Sequence, residues 1–294
     1  MIICPKCKTE QNFNDTDFVC KKCQYKLPSV DGNLIFDENA PQEKFADYPT
    51  AGLDELYRNE EKHFWFKARK ILIKRLFKKY ISKSSKVIEV GAGTGNISRM
   101  LLKTGYDVSV GEYYKSGLYY ARKYGIAHRY QFDLTRSPCI CHFDTVCLFD
   151  VLEHIEDNGS VLHNVYKMLK PLGKFILTVP AHMWLWSRDD AVASHKRRYE
   201  LIETIKVIKD HDFEILEAKN FFISILPLLF IRKLLKPDDK KPLCETELQN
   251  INFSINKYIN HCLALLMFLE LEILKWISPS IGGSIVIVAQ KRGY

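Results

Sequence analysis

Residues 85–102 constrain the fold more than any other stretch. Ser85-Lys86-Val87-Ile88-Glu89-Val90 is a β-branched run that breaks into Gly91-Ala92-Gly93-Thr94-Gly95, and after Asn96 the residues Ile97-Ser98-Arg99-Met100-Leu101-Leu102 follow a helical pattern. Strand, tight turn and helix in that order bring the backbone close to a ligand and aim helix N-terminal amides at it. Dinucleotide sites use a similar turn. Here Asn96 stands where the third glycine of G-x-G-x-x-G would fall, which argues against a pyrophosphate ligand.

More strands follow at regular intervals. Asp107-Val108-Ser109-Val110-Gly111-Glu112 ends in a carboxylate placed to accept both hydroxyls of a ribose, or to be a solvated strand-end acid. His128-Arg129-Tyr130-Gln131-Phe132-Asp133-Leu134 also ends on an acid between apolar residues, suited to accept from an adenine amine. Asp144–Phe149 leads into Asp150-Val151-Leu152-Glu153-His154, a helix is expected to run to Leu169, and Gly173–Pro180 is a fifth strand. Such alternation predicts an α/β, doubly wound, mostly parallel sheet, with ligands outside the carboxyl ends of its strands. Phe213–Leu216 and Gly283–Ala289 are expected to close it as an antiparallel edge, giving seven strands.

Over roughly residues 60–220 the chain resembles the class I S-adenosylmethionine-dependent methyltransferases, on Glu89–Gly95, Glu112, Asp133 and Asp150–His154 in that order. The resemblance implies a Rossmann-like methyltransferase fold and S-adenosylmethionine as cofactor. It places Gly91, Gly93 and Gly95 along the methionine portion, Glu112 at the ribose, Asp133 at the adenine and Glu89 behind the first loop. Ala92, Tyr113, Leu134 and Asp150 are expected in the same site. Glu61–Arg69 and His195-Lys196-Arg197-Arg198-Tyr199 resemble a subgroup associated with bacterial surface-glycan or lipid-linked saccharide assembly. Asp150, Glu153 and His154 also resemble an acidic segment of quinone-biosynthesis O-methyltransferases in which a divalent metal is implicated.

Methyl transfer from a sulfonium is an in-line displacement, so alignment and exclusion of water are the main tasks, and a hydroxyl nucleophile also needs a base. His154 is a candidate base, or else packs at a helix start. Asp150, His195 and Arg197 complete the candidate catalytic set; the 195–199 cluster suits a phosphate or carboxylate on the acceptor, or a surface ion-pair network. His63, Phe64, Trp65 and Arg69 cap the cofactor or pack in the core. Trp184 and Trp186 wall an acceptor pocket or join the core.

At the N-terminus, Cys4-Pro5-Lys6-Cys7 and Cys20-Lys21-Lys22-Cys23 have the spacing of two knuckles facing one metal. Cys4, Cys7, Cys20 and Cys23 would leave no open coordination position, so a structural zinc is expected rather than a catalytic one. The segments then read as a zinc ribbon over 1–36, a linker over 37–50 and a methyltransferase domain over 51–294. That domain would carry a helical cap at 51–81 and a helical insertion at 224–281 ahead of the last strand.

With 294 residues, 47% of them hydrophobic, the chain can bury a full core, and nine cysteines suit a reducing compartment. No signal-like opening or long uncharged apolar run is present, which predicts a cytoplasmic enzyme, with peripheral contact at the inner membrane face as a further expectation. The net charge of +8 is concentrated at Lys62–Lys86, where ten basic residues and no acidic one occur, either a solvated helix face or an anion-contacting patch. In the insertion, Phe221–Ile231 and Cys262–Leu269 are apolar with basic flanks, fitting a membrane surface, a subunit interface or a lid. The leading expectation is O-methylation of a small-molecule or lipid-linked saccharide acceptor. Methylation of RNA through the ribbon and the basic helix is the rival, and a non-catalytic scaffold is the third reading.

Overall fold

The computed structural model describes residues 1–38, 40, 50–238 and 255–293. Five parallel strands form its centre: β5 (Lys86–Val90), β6 (Asp107–Glu112), β7 (Arg129–Gln131), β8 (Phe143–Phe149) and β9 (Leu169–Pro180). β11 (Ser284–Lys291) lies antiparallel between β9 and β10 (Phe213–Phe221). At the opposite edge β4 (Asn33–Ile35) runs parallel to β7, and β3 (Ser29–Val30) antiparallel to β4. The order is therefore β10-β11-β9-β8-β5-β6-β7-β4-β3. Between β5 and β8 the winding reverses, the topological point where ligands of such sheets bind.

Seven of these strands answer to the sequence pattern and nine make up the sheet among the described residues, while β1 (Ile2–Ile3) and β2 (Glu10–Gln11) pair separately. The extra pair comes from residues 29–35, which join the main sheet. A tight turn explains it: Asp31 and Gly32 have φ of 54° and 75°, the left-handed pair of a type I′ hairpin. The linker expected over 37–50 lies almost wholly outside the described residues.

One sheet face packs against α5 (Asn158–Met168) and α7 (Leu201–Asp210) through Val161, Leu162, Val165, Met168 and Ile208. The same cluster contains Ile2, Phe18, Leu27 and Leu34, so the N-terminal module shares that core. The other face is covered by α2 (Phe64–Tyr80), α3 (Asn96–Lys103) and a C-terminal helix, α9 (Lys257–Ile273). In α2 the buried residues Phe64, Ala68, Ile73, Leu76 and Phe77 recur at helical spacing, and His63 caps its start by accepting from Trp65 N. α1 (Thr50–Asn59) precedes it, and α4 (Lys115–Lys123), α6 (Arg188–Val192) and α8 (Leu226–Leu235) complete the helices the argument uses.

The N-terminal module docks at the amino ends of β5 and β8. Asp15 is the pin: its carboxylate accepts from Tyr130 Oη at 2.7 Å, meets His142 Nε2 at 2.6 Å and pairs with Lys86. Although burial raises its pKa, hydrogen bonds from His142, Lys86 and Tyr130 hold the Asp15 carboxyl well below the usual range. Chain pairing adds to the seam, with Ile3 N donating to Pro138 O at 2.8 Å and Ile140 N to Met1 O at 2.9 Å. Among the described residues no helix is long and apolar enough to cross a membrane.

Candidate functional site

A cavity of about 800 Å³ opens over the carboxyl ends of β5, β6, β7 and β8. The glycine turn forms its floor. Gly91 sits at φ 70°, and a Cβ there would come within 2.5 Å of Val151 Cγ2, so the turn needs glycine for its backbone and for the space. Gly93 N donates to Glu112 Oε1 at 2.5 Å, which ties the turn to the end of β6. Behind the turn Glu89 is buried and takes a hydrogen bond from Ser98; burial pushes its carboxyl up to about 7.

Of the expected cofactor residues, Glu89, Gly91, Ala92, Gly93, Glu112, Tyr113, Asp133, Leu134 and Asp150 line the cavity. Gly95 does not: at φ 74° it is the N-cap of α3, and a Cβ on it would face Ala121 and Ile126. Asp133 reaches the cavity while also capping its own turn, accepting from Thr135 N at 2.9 Å and from Arg136 Nη2 at 3.1 Å. Leu53, Leu56 and Glu60, from α1 and the turn after it, close the cavity from above. Glu60 accepts from Thr94 and from Tyr124 Oη, and burial raises its pKa.

The other end of the cavity is charged. Asp150 stands at φ 57°, accepts from Thr178 Oγ1 at 3.0 Å and pairs with Arg69 Nη1 at 2.9 Å, so it holds a guanidinium against the wall. Glu153 is fully buried on its 3-10 turn, and neither carboxylate oxygen has a hydrogen-bond partner among the described residues. Burial and the nearby Asp150 charge push its carboxyl well above the usual range. His195 Nε2 lies 3.9 Å from Glu153 Oε1, and its Nδ1 lies 2.9 Å from Asp190 Oδ1. Burial opposes ionisation of Asp190, but His195 and Arg198 hold its pKa below the usual range. Arg198 contacts it at 2.8 Å and 3.0 Å, and Asp190 also closes the capping box of α6 through Ser187 N.

His154 lines the cavity with its ring 4.9 Å from that of His195, edge to face. Arg197 does not line it. Its guanidinium turns outward and donates to Glu156 O at 3.1 Å, while Arg198 takes the inward place. Trp65 and Arg69 border the cavity, whereas Phe64 is core and His63 is the cap of α2. Trp184 stacks on His182 and Trp186 donates to Asp238 at 2.8 Å, both away from the cavity. Sequence reasoning missed Asp190 as a site residue. Glu153 and Arg198 were read only within the acidic segment at 150–154 and the basic cluster at 195–199, and neither was placed in the candidate catalytic set.

The four N-terminal thiols form a second cluster. Cys4 Sγ lies 3.7 Å from Cys23 Sγ and Cys7 Sγ lies 3.5 Å from Cys20 Sγ, with all four sulfurs within 4.8 Å of one another. A tetrahedral ion with bonds of about 2.3 Å spaces its sulfurs by about 3.8 Å, so this donor set fits zinc. The two knuckles also match: Lys8 N donates to Cys4 O and Gln24 N to Cys20 O, each at 2.9 Å, with φ of 60° and 57° at Lys8 and Gln24. No residue of 1–36 lines the large cavity.

With this geometry in view, comparisons with known proteins agree on the domain. A family model described as "Methyltransferase domain" matches residues 58–216. No curated protein sequence matches the chain. Among solved structures, the chain is similar to phosphoethanolamine N-methyltransferase 2 of Haemonchus contortus in complex with S-adenosyl-L-methionine. The TM-score is 0.55 and the identity 20%, over 84% of this chain and 58% of that one. It is also similar to a putative methyltransferase from Bacillus halodurans C-125, with a TM-score of 0.50 and 18% identity over 75% of this chain and 98% of that one. At these identities the likeness is one of fold. The family match spans more than half of the chain, which therefore belongs to that family and carries a class I, S-adenosylmethionine-dependent methyltransferase domain with a Rossmann-like fold.

Proposed function

We propose that the enzyme O-methylates a hydroxyl of a small or lipid-linked saccharide, with His195 as the base. The observation that carries this reading is His195 on the cavity wall, held from behind by the buried Asp190 carboxylate. An ionised Asp190 accepts from Nδ1–H, so the lone pair of His195 rests on Nε2, the arrangement a general base requires. Alcohols need such a base, whereas a neutral amine does not.

When bound, S-adenosylmethionine supplies an electrophilic methyl on sulfonium. Gly91, Gly93 and Glu112 would hold the cofactor, with Glu89 buried behind the turn, while Tyr113, Asp133 and Leu134 flank its nucleoside end. His195 Nε2 takes the hydroxyl proton, and the ionised Asp190, 2.9 Å from Nδ1, pairs with the imidazolium that results. Arg69 and Arg198, each fixed by an aspartate, orient the acceptor. His154 packs beside His195 and shapes the same wall. The saccharide class rests on the resemblance of residues 61–69 and 195–199 to the glycan-associated subgroup.

Zinc in the cysteine cluster is part of the same proposal, as a structural ion. Its distance from the cavity, with no residue of 1–36 among the lining, favours stabilisation over contact with the acceptor. Two observations weigh against the RNA reading. That lining is one; the other is that Arg69, Lys70, Arg75, Lys79 and Lys86 pair with carboxylates and leave the basic segment partly neutralised.

Calorimetric titration with S-adenosylmethionine, its demethylated product and NAD as control, followed by labelled-methyl transfer to saccharide, amine and RNA acceptors, tests the proposal. Micromolar binding of the first two compounds and label on a hydroxyl acceptor are expected. Label confined to an amine or to RNA would overturn it.

A further inference from the structure

Of the helical insertion expected over 224–281, residues 239–254 lie outside the described residues; among those described, α8 and α9 are fastened by their inner surfaces and have uncovered outer ones. Asn260 of α9 accepts from Phe64 N at 2.8 Å and donates to Lys62 O at 2.9 Å, and Arg75 donates to Leu271 O at 2.7 Å, which fixes α9 along α2. Glu270 accepts from Ile223 N at 2.9 Å and Ser224 N at 2.8 Å, tying α9 to the segment that leads into α8. With those attachments made, Ile231, Leu234 and Leu235 on α8 and Leu265 and Leu269 on α9 remain more than half exposed, and Trp276 just beyond is 88% exposed. Spacings of three and four residues put each set on one side of its helix. A chain surrounded by water on all sides rarely leaves so many large apolar residues uncovered.

Charge distinguishes what covers them. α8 contains Arg232 and Lys233 and no acid, Lys236 follows it, Lys257 opens α9 and Lys275 follows that helix. Of the acids close by, Glu270 accepts from backbone amides, Glu272 pairs with Arg75 and Lys275, and Asp189 pairs with Arg232 and Lys236, which leaves Lys233 and Lys257 as the cations of this rim without a carboxylate partner among the described residues. Apolar side chains with a cationic rim and an exposed tryptophan match a bilayer interface bearing anionic headgroups. Neither helix is long and apolar enough to cross it. We infer that the outer face of α8, α9 and Trp276 lies on an anionic phospholipid surface, with both helices along the plane of the membrane.

α8 is also a wall of the catalytic cavity, through Leu229. A hydroxyl carried on a lipid anchor would then reach His195 without its tail leaving the bilayer. Docking itself does not depend on the acceptor being a lipid-linked saccharide, so the two ideas fail separately.

The test is co-sedimentation of the full, zinc-loaded chain with phosphatidylcholine vesicles, with and without about 30% phosphatidylglycerol, at low and high salt. Binding to the anionic vesicles alone, weakened by salt, is expected. Leu234→Glu, Leu235→Glu and Trp276→Glu together should lower it by roughly tenfold or more. None of the three lines the cavity, so S-adenosylmethionine affinity should be unchanged and serves as the check that the variant is folded. A second variant, Lys257→Glu with Lys275→Glu, should erase the preference for anionic lipid. Failure to bind either vesicle, or equal binding by the triple variant, overturns the inference. So does a dimer in sedimentation velocity that the triple variant dissolves while vesicles recruit nothing, because the face would then belong to a second copy.

Discussion

His154 and His195 are neighbours in the cavity, and the ring of His195 is fixed at Nδ1 by the buried Asp190 carboxylate. His195→Ala should therefore lower kcat by about 10²- to 10³-fold, as loss of a general base does, with S-adenosylmethionine affinity unchanged. His154→Ala should cost less. A His154→Ala loss as large as that of His195→Ala, measured in single turnover, would move the base to His154. That Gly91, Gly93 and Glu112 line the cavity was legible because fixed spacing along a strand, a turn and a helix leaves them one place to go, whereas Gly95 falls at the helix cap instead. Asp190 was not legible, since Ser187-Arg188-Asp189-Asp190 marks the start of a short helix and says nothing of a histidine five residues on as its partner. Arg197 and Arg198 could not be told apart either, because the backbone between α6 and Tyr199 is irregular and no periodicity says which side chain turns inward.

Among the elements, α2 is held to β10 by one carboxylate. Glu217 accepts from Lys79 Nζ at 2.7 Å and Tyr80 Oη at 2.6 Å and pairs with Lys219. Burial works against it, yet these partners hold its pKa down to about 2. An unfolded glutamate titrates near 4.3, so the stabilisation is whole above that pH and is lost as pH falls through about 2. Glu217→Gln should cost about 1–2 kcal/mol at neutral pH, and the gap in thermal midpoint between variant and parent should shrink from pH 5 to pH 2. A gap constant with pH would remove the clamp. The main strands and helices were legible from apolar periodicity, but β3 and β4 were not. Two or three residues carry no period, and only the Asp31-Gly32 pair marked a hairpin whose partner, β7, is distant in sequence.

At the scale of the whole molecule, the cysteine cluster and the cavity sit at opposite ends of the strands. Removing the metal with a chelator, or making Cys20→Ser, should lower the thermal midpoint by about 10 °C while S-adenosylmethionine binding by the surviving folded chain changes little. A large loss of cofactor affinity with the midpoint unmoved would reverse the assignment of the cluster as structural. The parallel pairing of Asn33–Ile35 with Arg129–Gln131 bears on biogenesis as well. On the ribosome the knuckles emerge before β7, and their edge waits, unpaired and adhesive, until it follows. Closing the four thiolates on an ion would give that segment a shape in the interval. Growth without zinc should then reduce how much folded enzyme a cell accumulates more than it alters the turnover of each finished molecule.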